Sequence, residues 1–173
     1  MVQVYTSKEK VNQLFDTFVL EIARLDCSDW KKELLRNFAL DISKVVDIRD
    51  FTPKDSDNYD RNYLARDDSG WEILLIAWQK GDETEIHGHP ELCCYHYIKG
   101  EFELELFHLC PEGNLIFDRK IYVTEGMTYS DCGEPDTFCN HIHKVKCLSD
   151  IGYSINIYSD DAKKGEEFEL NTN

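Results

Sequence analysis

Basic residues are scarce in this chain of 173 residues: 19 Lys and Arg stand against 34 Asp and Glu, a formal charge of −15 with His neutral. An acidic exterior repels phosphate backbones and anionic lipid headgroups, so neither nucleic acid nor a membrane is an expected partner. Long apolar runs are missing too. The longest strongly apolar stretch, Ile73 to Trp78, covers six residues, whereas a helix that crosses a bilayer needs about 20. The seven cysteines include no C-x-x-C and no paired zinc spacing. The opening M-V-Q-V-Y-T-S-K-E-K lacks the basic-then-apolar order of a secretory leader. Reduced thiols and a soluble, cytoplasmic protein are therefore expected. There is no internal repeat and no low-complexity tract.

What is present suffices for a core. Hydrophobic residues make up 42% and aromatics 12% of the chain, and the length suits one domain over residues 1–173, expected to be a monomer. Thr6 and Glu9 form a T-x-x-E capping box ahead of Val11, Leu14, Phe15, Phe18, Val19, Ile22 and Leu25 at helical spacing. Ser28 or Asp29 can cap a second helix with Trp30, Leu34, Leu35 and Phe38 on its apolar side. This predicts a helical hairpin within residues 1–45, packed outside the body of the fold. Residues 49–69 turn polar and read as a loop. From about residue 70 to 160 the period becomes 2, with strands predicted at Glu72–Trp78, at Cys94–Leu109 broken near Gly100, at Leu115–Val123, at Thr137–Cys147 and at Ile151–Tyr158. Short strands in that number without intervening helices predict a mainly β fold, a small sandwich or barrel.

Chemistry concentrates between Trp78 and Gly100, W-Q-K-G-D-E-T-E-I-H-G-H-P-E-L-C-C-Y-H-Y-I-K-G. On an extended backbone His87 and His89 leave one face of a strand, a geometry that suits a single metal ion. A chance pair remains the plain alternative. His141 or His143, some fifty residues on, can supply a third imidazole, and both share a face under strict alternation. H-x-H on one strand with a His on a distant strand, opened by Gly81 and closed by Gly100, resembles the cupin superfamily, which implies a cupin-type jelly-roll barrel around a mononuclear metal. The carboxylate departs from that pattern: Glu91 comes too early, and Cys93-Cys94 stand where the acid belongs. A three-His site keeps the full charge of the ion and favours an anionic ligand such as a thiolate.

Further segments narrow the resemblance. Tyr59-Asp60-Arg61-Asn62, Trp78, His87-Gly88-His89, Cys94, His143-Lys144-Val145 and Ser154-Ile155-Asn156-Ile157-Tyr158-Ser159 follow in order. Together they resemble type I cysteine dioxygenase, the thiol dioxygenase branch of the cupins, over about residues 5–160. The resemblance implies Fe(2+) held by His87, His89 and His143, and oxidation of L-cysteine by O2 to cysteine sulfinic acid. It further implies Arg61 and Tyr59 at the substrate carboxylate, Tyr158 and Cys94 as catalytic groups, and Trp78, Ser154 and Asn156 in support. Cys94 joins Tyr158 by a thioether in some members. Alternation from His89 argues otherwise, setting Glu91 and Cys93 on the ligand face and Cys94 on the other unless Pro90 kinks the chain. Both cysteines can equally be small buried hydrophobes. Arg61 has a plain alternative as a surface partner of Asp57, Asp60 or Asp67. Asn156 stands where members often have a His, and it cannot titrate. A 3-mercaptopropionate dioxygenase or a non-catalytic metal- or ligand-binding cupin are the other readings; Arg61 disfavours cysteamine.

Overall fold

The structure, a computed structural model, describes residues 7–53 and 58–170. Helix α1 (Ser7–Ile22) buries Val11, Phe15, Phe18 and Ile22 as one stripe. Its expected cap Thr6 lies outside the described residues. Helix α2 (Ser28–Val45) buries Leu35, Phe38, Ala39 and Ile42. The cap of α2 is Cys27, which makes no side-chain capping bond, and Ser28 is already helical. Trp30, expected on the apolar side, is exposed, because at 3.6 residues per turn it falls off the edge of that stripe. Phe18 and Phe38 stack with ring centroids 4.1 Å apart and lock the hairpin, and Trp71 meets Phe18 edge-on at 5.1 Å.

Among the described residues ten strands follow: β1 (Asp60–Arg66), β2 (Glu72–Gln79), β3 (Ile86–His89), β4 (Leu92–Lys99), β5 (Glu101–Leu109), β6 (Leu115–Thr124), β7 (Thr128–Cys132), β8 (Asn140–Cys147), β9 (Ile151–Tyr158) and β10 (Glu167–Phe168). They form two five-stranded antiparallel sheets, ordered β1-β2-β9-β4-β7 and β10-β3-β8-β5-β6. The mainly β architecture with helices outside agrees with the sequence expectation. Three strands were not foreseen. β1 lies inside the expected loop; as an edge strand with solvent on one side its residues D-R-N-Y-L-A-R look polar. β7 and β10 are five and two residues long, too short to show a period.

The helices cover one face of the first sheet, so β2 and β9 are buried on both sides. Ile73, Leu75 and Ala77 of β2 with Tyr153, Ile155 and Ile157 of β9 pack against the helices. Leu74, Ile76, Trp78 and Tyr158 face the barrel interior. Period 2 then assigns Ser154 and Asn156 to the inner face as well, a polar row in an otherwise apolar strand.

Candidate metal centre

The strand pair β3–β8 builds the centre. His87 and His143 are register partners, and a bulge separates that pair from the next, His89 with Asn140. The ring centroids lie 4.6 Å apart for His87–His89, 5.0 Å for His87–His143 and 4.7 Å for His89–His143. One ligand-capable nitrogen from each falls within 4.8 Å of the others, and among the described residues no carboxylate joins the group. Gly88 between the two His is obligatory: a β-carbon there would collide with the Phe138 carbonyl oxygen.

The nitrogens fit a divalent ion. His87 Nδ1 sits 2.9 Å from the Glu85 carbonyl oxygen, so as the N–H it donates there and leaves Nε2 with its lone pair. Both nitrogens of His89 and Nδ1 of His143 are buried without a hydrogen-bond partner, a costly condition that metal ligation relieves for one nitrogen of a ring. Burial pushes the His87 imidazole below its ordinary range and those of His89 and His143 well below it. They are thus neutral, the form that binds metals. Imidazole sets suit iron, zinc, copper and nickel alike, so the ligands alone do not choose among them.

The three His open onto a cavity of about 400 Å³ that Arg61, Tyr59, Trp78, Asn156 and Tyr158 also line. Strand β1 delivers Arg61 opposite Ile76 of β2, and its Nε is buried without a partner. Of the carboxylates weighed as surface partners for it, Asp57 lies outside the described residues, and Asp67 is taken up by Ser69 and the Trp71 N–H. Tyr59 packs against Trp78 with the rings tilted by 33° and centroids 4.5 Å apart. A hydrogen-bonded line crosses the cavity wall. Trp78 Nε1 donates to Ser154 Oγ (3.1 Å), Ser154 Oγ donates to Asn156 Oδ1 (2.8 Å), and Asn156 Nδ2 donates to Tyr158 Oη (3.0 Å). Since Tyr158 accepts from Asn156, its own proton is free to point into the cavity. Burial pushes that phenol up and keeps the proton on it. The Tyr158 ring lies parallel to His89 at 5.3 Å.

Cys94 is a correction. It is fully buried against the helices, packed with Leu92, Ile155 and Ile157 on the outer face of the first sheet. Cys93 takes the inner face, directly opposite Tyr158 in register. Burial pushes the Cys93 thiol up to about 12, so it is protonated at neutral pH. Glu91, which alternation from His89 set on the ligand face, turns outward to Lys31 of α2 at 3.8 Å. The corner at Pro90-Glu91 passes the chain from one sheet to the other and restarts the alternation. His141 lies beside the centre but outside the converging group, 3.5 Å from Asp131.

Sequence reasoning missed the C-terminal part of the wall, Ala162, Lys163, Gly165 and Glu167. Backbone bonds hold this segment down: Gly88 N–H donates to Glu166 O (2.8 Å), Glu166 N–H to Phe138 O (3.2 Å), and Ala162 N–H to the buried Glu72 carboxylate (3.0 Å). A β-carbon on Gly165 would collide with Gly88 O. A lone glycine among charged residues was the only signal available.

No protein-family model matches the chain, and no curated protein sequence matches it. Solved structures do. It is similar to the TT1209 protein from Thermus thermophilus (12% identity, 67% of this chain and 97% of that one, TM-score 0.50). Peruvianin-I, a cysteine peptidase from Thevetia peruviana latex, matches at 11% identity over 74% of this chain and 78% of its own, with TM-score 0.50. A cupin superfamily protein from Desulfitobacterium hafniense matches at 13% identity over 69% and 88%, with TM-score 0.46. At such identities the likeness concerns the fold alone. Two facing antiparallel sheets carrying a three-His cluster define the class: a two-sheet β-barrel with helices outside and a candidate metal centre. Among the described residues no helix is long and apolar enough to cross a membrane.

Proposed function

We propose that the protein is an iron-dependent thiol dioxygenase that converts L-cysteine to cysteine sulfinic acid, RSH + O2 → RSO2H. The observation that carries this reading is that three imidazoles, joined by no carboxylate among the described residues, open onto one cavity with a guanidinium and a phenol that has a proton to give. His87, His89 and His143 would hold ferrous iron, which when bound supplies dioxygen activation and keeps the substrate sulfur deprotonated. Both oxygen atoms end on sulfur, so the reaction balances without a further reductant.

The chain's own residues do the rest. Arg61 offers a planar fork to the substrate carboxylate, and Tyr59, packed against Trp78, walls that end of the cavity. Tyr158 holds its proton toward the reacting sulfur and oxygen. Glu85 and Glu167 line the same cavity and favour a substrate with an ammonium as well as a carboxylate. That supports cysteine over 3-mercaptopropionate, the nearest rival. A non-catalytic metal-binding cupin is the second reading, supported by Asn156, which cannot exchange protons with Tyr158.

The test is anaerobic reconstitution with ferrous iron, then addition of L-cysteine, 3-mercaptopropionate or cysteamine in air while oxygen uptake and product mass are followed. Sulfinate from cysteine in preference to the other two supports the proposal. Iron binding without oxygen uptake from any thiol overturns it in favour of the binding module.

A further inference from the structure

Behind His143 lies a group of polar side chains that the reaction above does not use. His141 sits at the β3–β8 bulge with φ 46°, in the left-handed region that a residue with a β-carbon rarely takes. Its ring is held between Tyr129 (centroids 4.5 Å) and Tyr95 (5.6 Å), and its Nδ1 lies 3.5 Å from Asp131 Oδ2 on β7. With the Asp131 carboxylate as acceptor, His141 Nδ1 carries the proton and Nε2 carries a lone pair. That Nε2 is buried and has no partner.

Two neighbours share the condition. His143 Nδ1 and Tyr95 Oη are buried and unpartnered, on residues that are each 2% exposed. The rings of His141, His143 and Tyr95 form a compact triangle with centroid separations of 5.0, 5.1 and 5.6 Å. Buried polar atoms are rarely left unsatisfied, and the donor and acceptor roles here are complementary. If His143 ligates through Nε2, its Nδ1 is an N–H donor left without an acceptor, and His141 Nε2 is an acceptor left without a donor.

We propose that Asp131 and His141 form a positioning relay behind His143, joined to its Nδ1 through one water shared with Tyr95. The relay orients the third ligand, raises the basicity of its metal-facing nitrogen, and brings a carboxylate's influence to a centre that has none of its own. It rests on the three-His metal site and is independent of thiol oxidation. His141 and Asp131 are positioning residues, since neither belongs to the converging ligand set.

The test is titration of the metal-free protein with Co(II), read by its visible ligand-field bands, for the wild type, Asp131→Asn, His141→Phe and, as ligand control, His143→Ala. Asp131→Asn keeps the acceptor for Cys132 N–H (2.9 Å) and is expected to fold normally; His141→Phe keeps the aromatic stack. Both are expected to weaken Co(II) binding by about 10–100-fold and to shift the bands, with the melting temperature of metal-free Asp131→Asn unchanged. Wild-type affinity and bands in Asp131→Asn would overturn the relay while leaving the metal site standing. No Co(II) binding by the wild type would overturn both.

Discussion

Asn156→Leu tests the hydrogen-bonded line on the cavity wall, because it removes the member between Ser154 and Tyr158 and keeps the branched side-chain shape. Two bonds are lost, from Ser154 (2.8 Å) and to Tyr158 (3.0 Å), in a region where Asn156 is 6% and Ser154 1% exposed. Each hydroxyl left short of a partner at a buried position costs about 1–3 kcal/mol. Ser154 still accepts from Trp78 and Tyr158 still reaches the cavity, so the lower half of that range applies to each. Together they give a net loss of about 2–4 kcal/mol, or about 4–16 °C in melting temperature for a chain of this size. Thermal melts of the metal-free protein measure it. The second consequence concerns chemistry: without the Asn156 donor, the Tyr158 proton is no longer aimed. A fall of about 10-fold or more in kcat/KM with iron retained is expected, less than the 10²–10³-fold for deleting a preorganised donor outright. Asn156→Asp supplies the contrast, because an acceptor-only side chain would draw the Tyr158 proton away from the cavity. Unchanged melting of the Leu variant together with full activity of the Asp variant would refute a directional line.

Other consequences follow from the same geometry. Any covalent bridge to Tyr158 is expected from Cys93 and not Cys94: with dioxygen as oxidant, a thiol and a ring hydrogen are lost, and intact mass should show that loss in the wild type and Cys94→Ala but not in Cys93→Ala. Its persistence in Cys93→Ala would contradict the register. Arg61→Ala should retain iron, measured by metal analysis, yet lose saturation by cysteine; a wild-type KM would remove Arg61 from substrate binding. The metal-free protein should weaken in acid. His89 and His143 have folded pKa values lowered by burial, so below about 6.5 the unfolded chain takes up protons that the fold refuses. Stability is therefore complete above that pH and falls below it, by about 1.4 kcal/mol per pH unit for each such imidazole. Urea melts between neutral pH and mild acid measure the slope, which His89→Phe should flatten; a flat wild-type profile would show that the imidazoles titrate normally.

The His pair was legible because a strand's period of two is a local property, and the apolar run of β2 was legible because both of its faces are covered. Strand β1 was not, although it delivers Arg61 and begins just after Tyr59, since an edge strand half in water has the composition of a loop. The choice between Cys93 and Cys94 set two arguments against each other. Spacing from His89 favoured Cys94, alternation favoured Cys93, and alternation named the inward residue. It did so across a corner where its own premise fails, as the outward turn of Glu91 toward Lys31 demonstrates. Residues 161–168 were illegible for a different reason. Their place on the cavity is set by backbone bonds to Gly88 and Phe138, which leave no pattern in side-chain type.

The helical hairpin, remote from the His cluster, explains why the site could be read at all. By sealing the outer face of the first sheet it makes β2, β4 and β9 apolar outward, where an exposed sheet would carry polar residues. Apart from His96 of β4, which pairs with outward Ile155 and bonds Thr128 Oγ1 (2.7 Å), buried polarity in those strands belongs to the interior. In β9 the outward Tyr153, Ile155 and Ile157 are packing residues, so the intervening Ser154, Asn156 and Tyr158 must find their partners inside, and they find them in one another and in Trp78. The same logic applies to Cys93-Cys94: one thiol fills the seam under the helices while its neighbour faces Tyr158. The hairpin thus contributes no side chain to the cavity, yet it determines which residues of the sheet are free to form its wall.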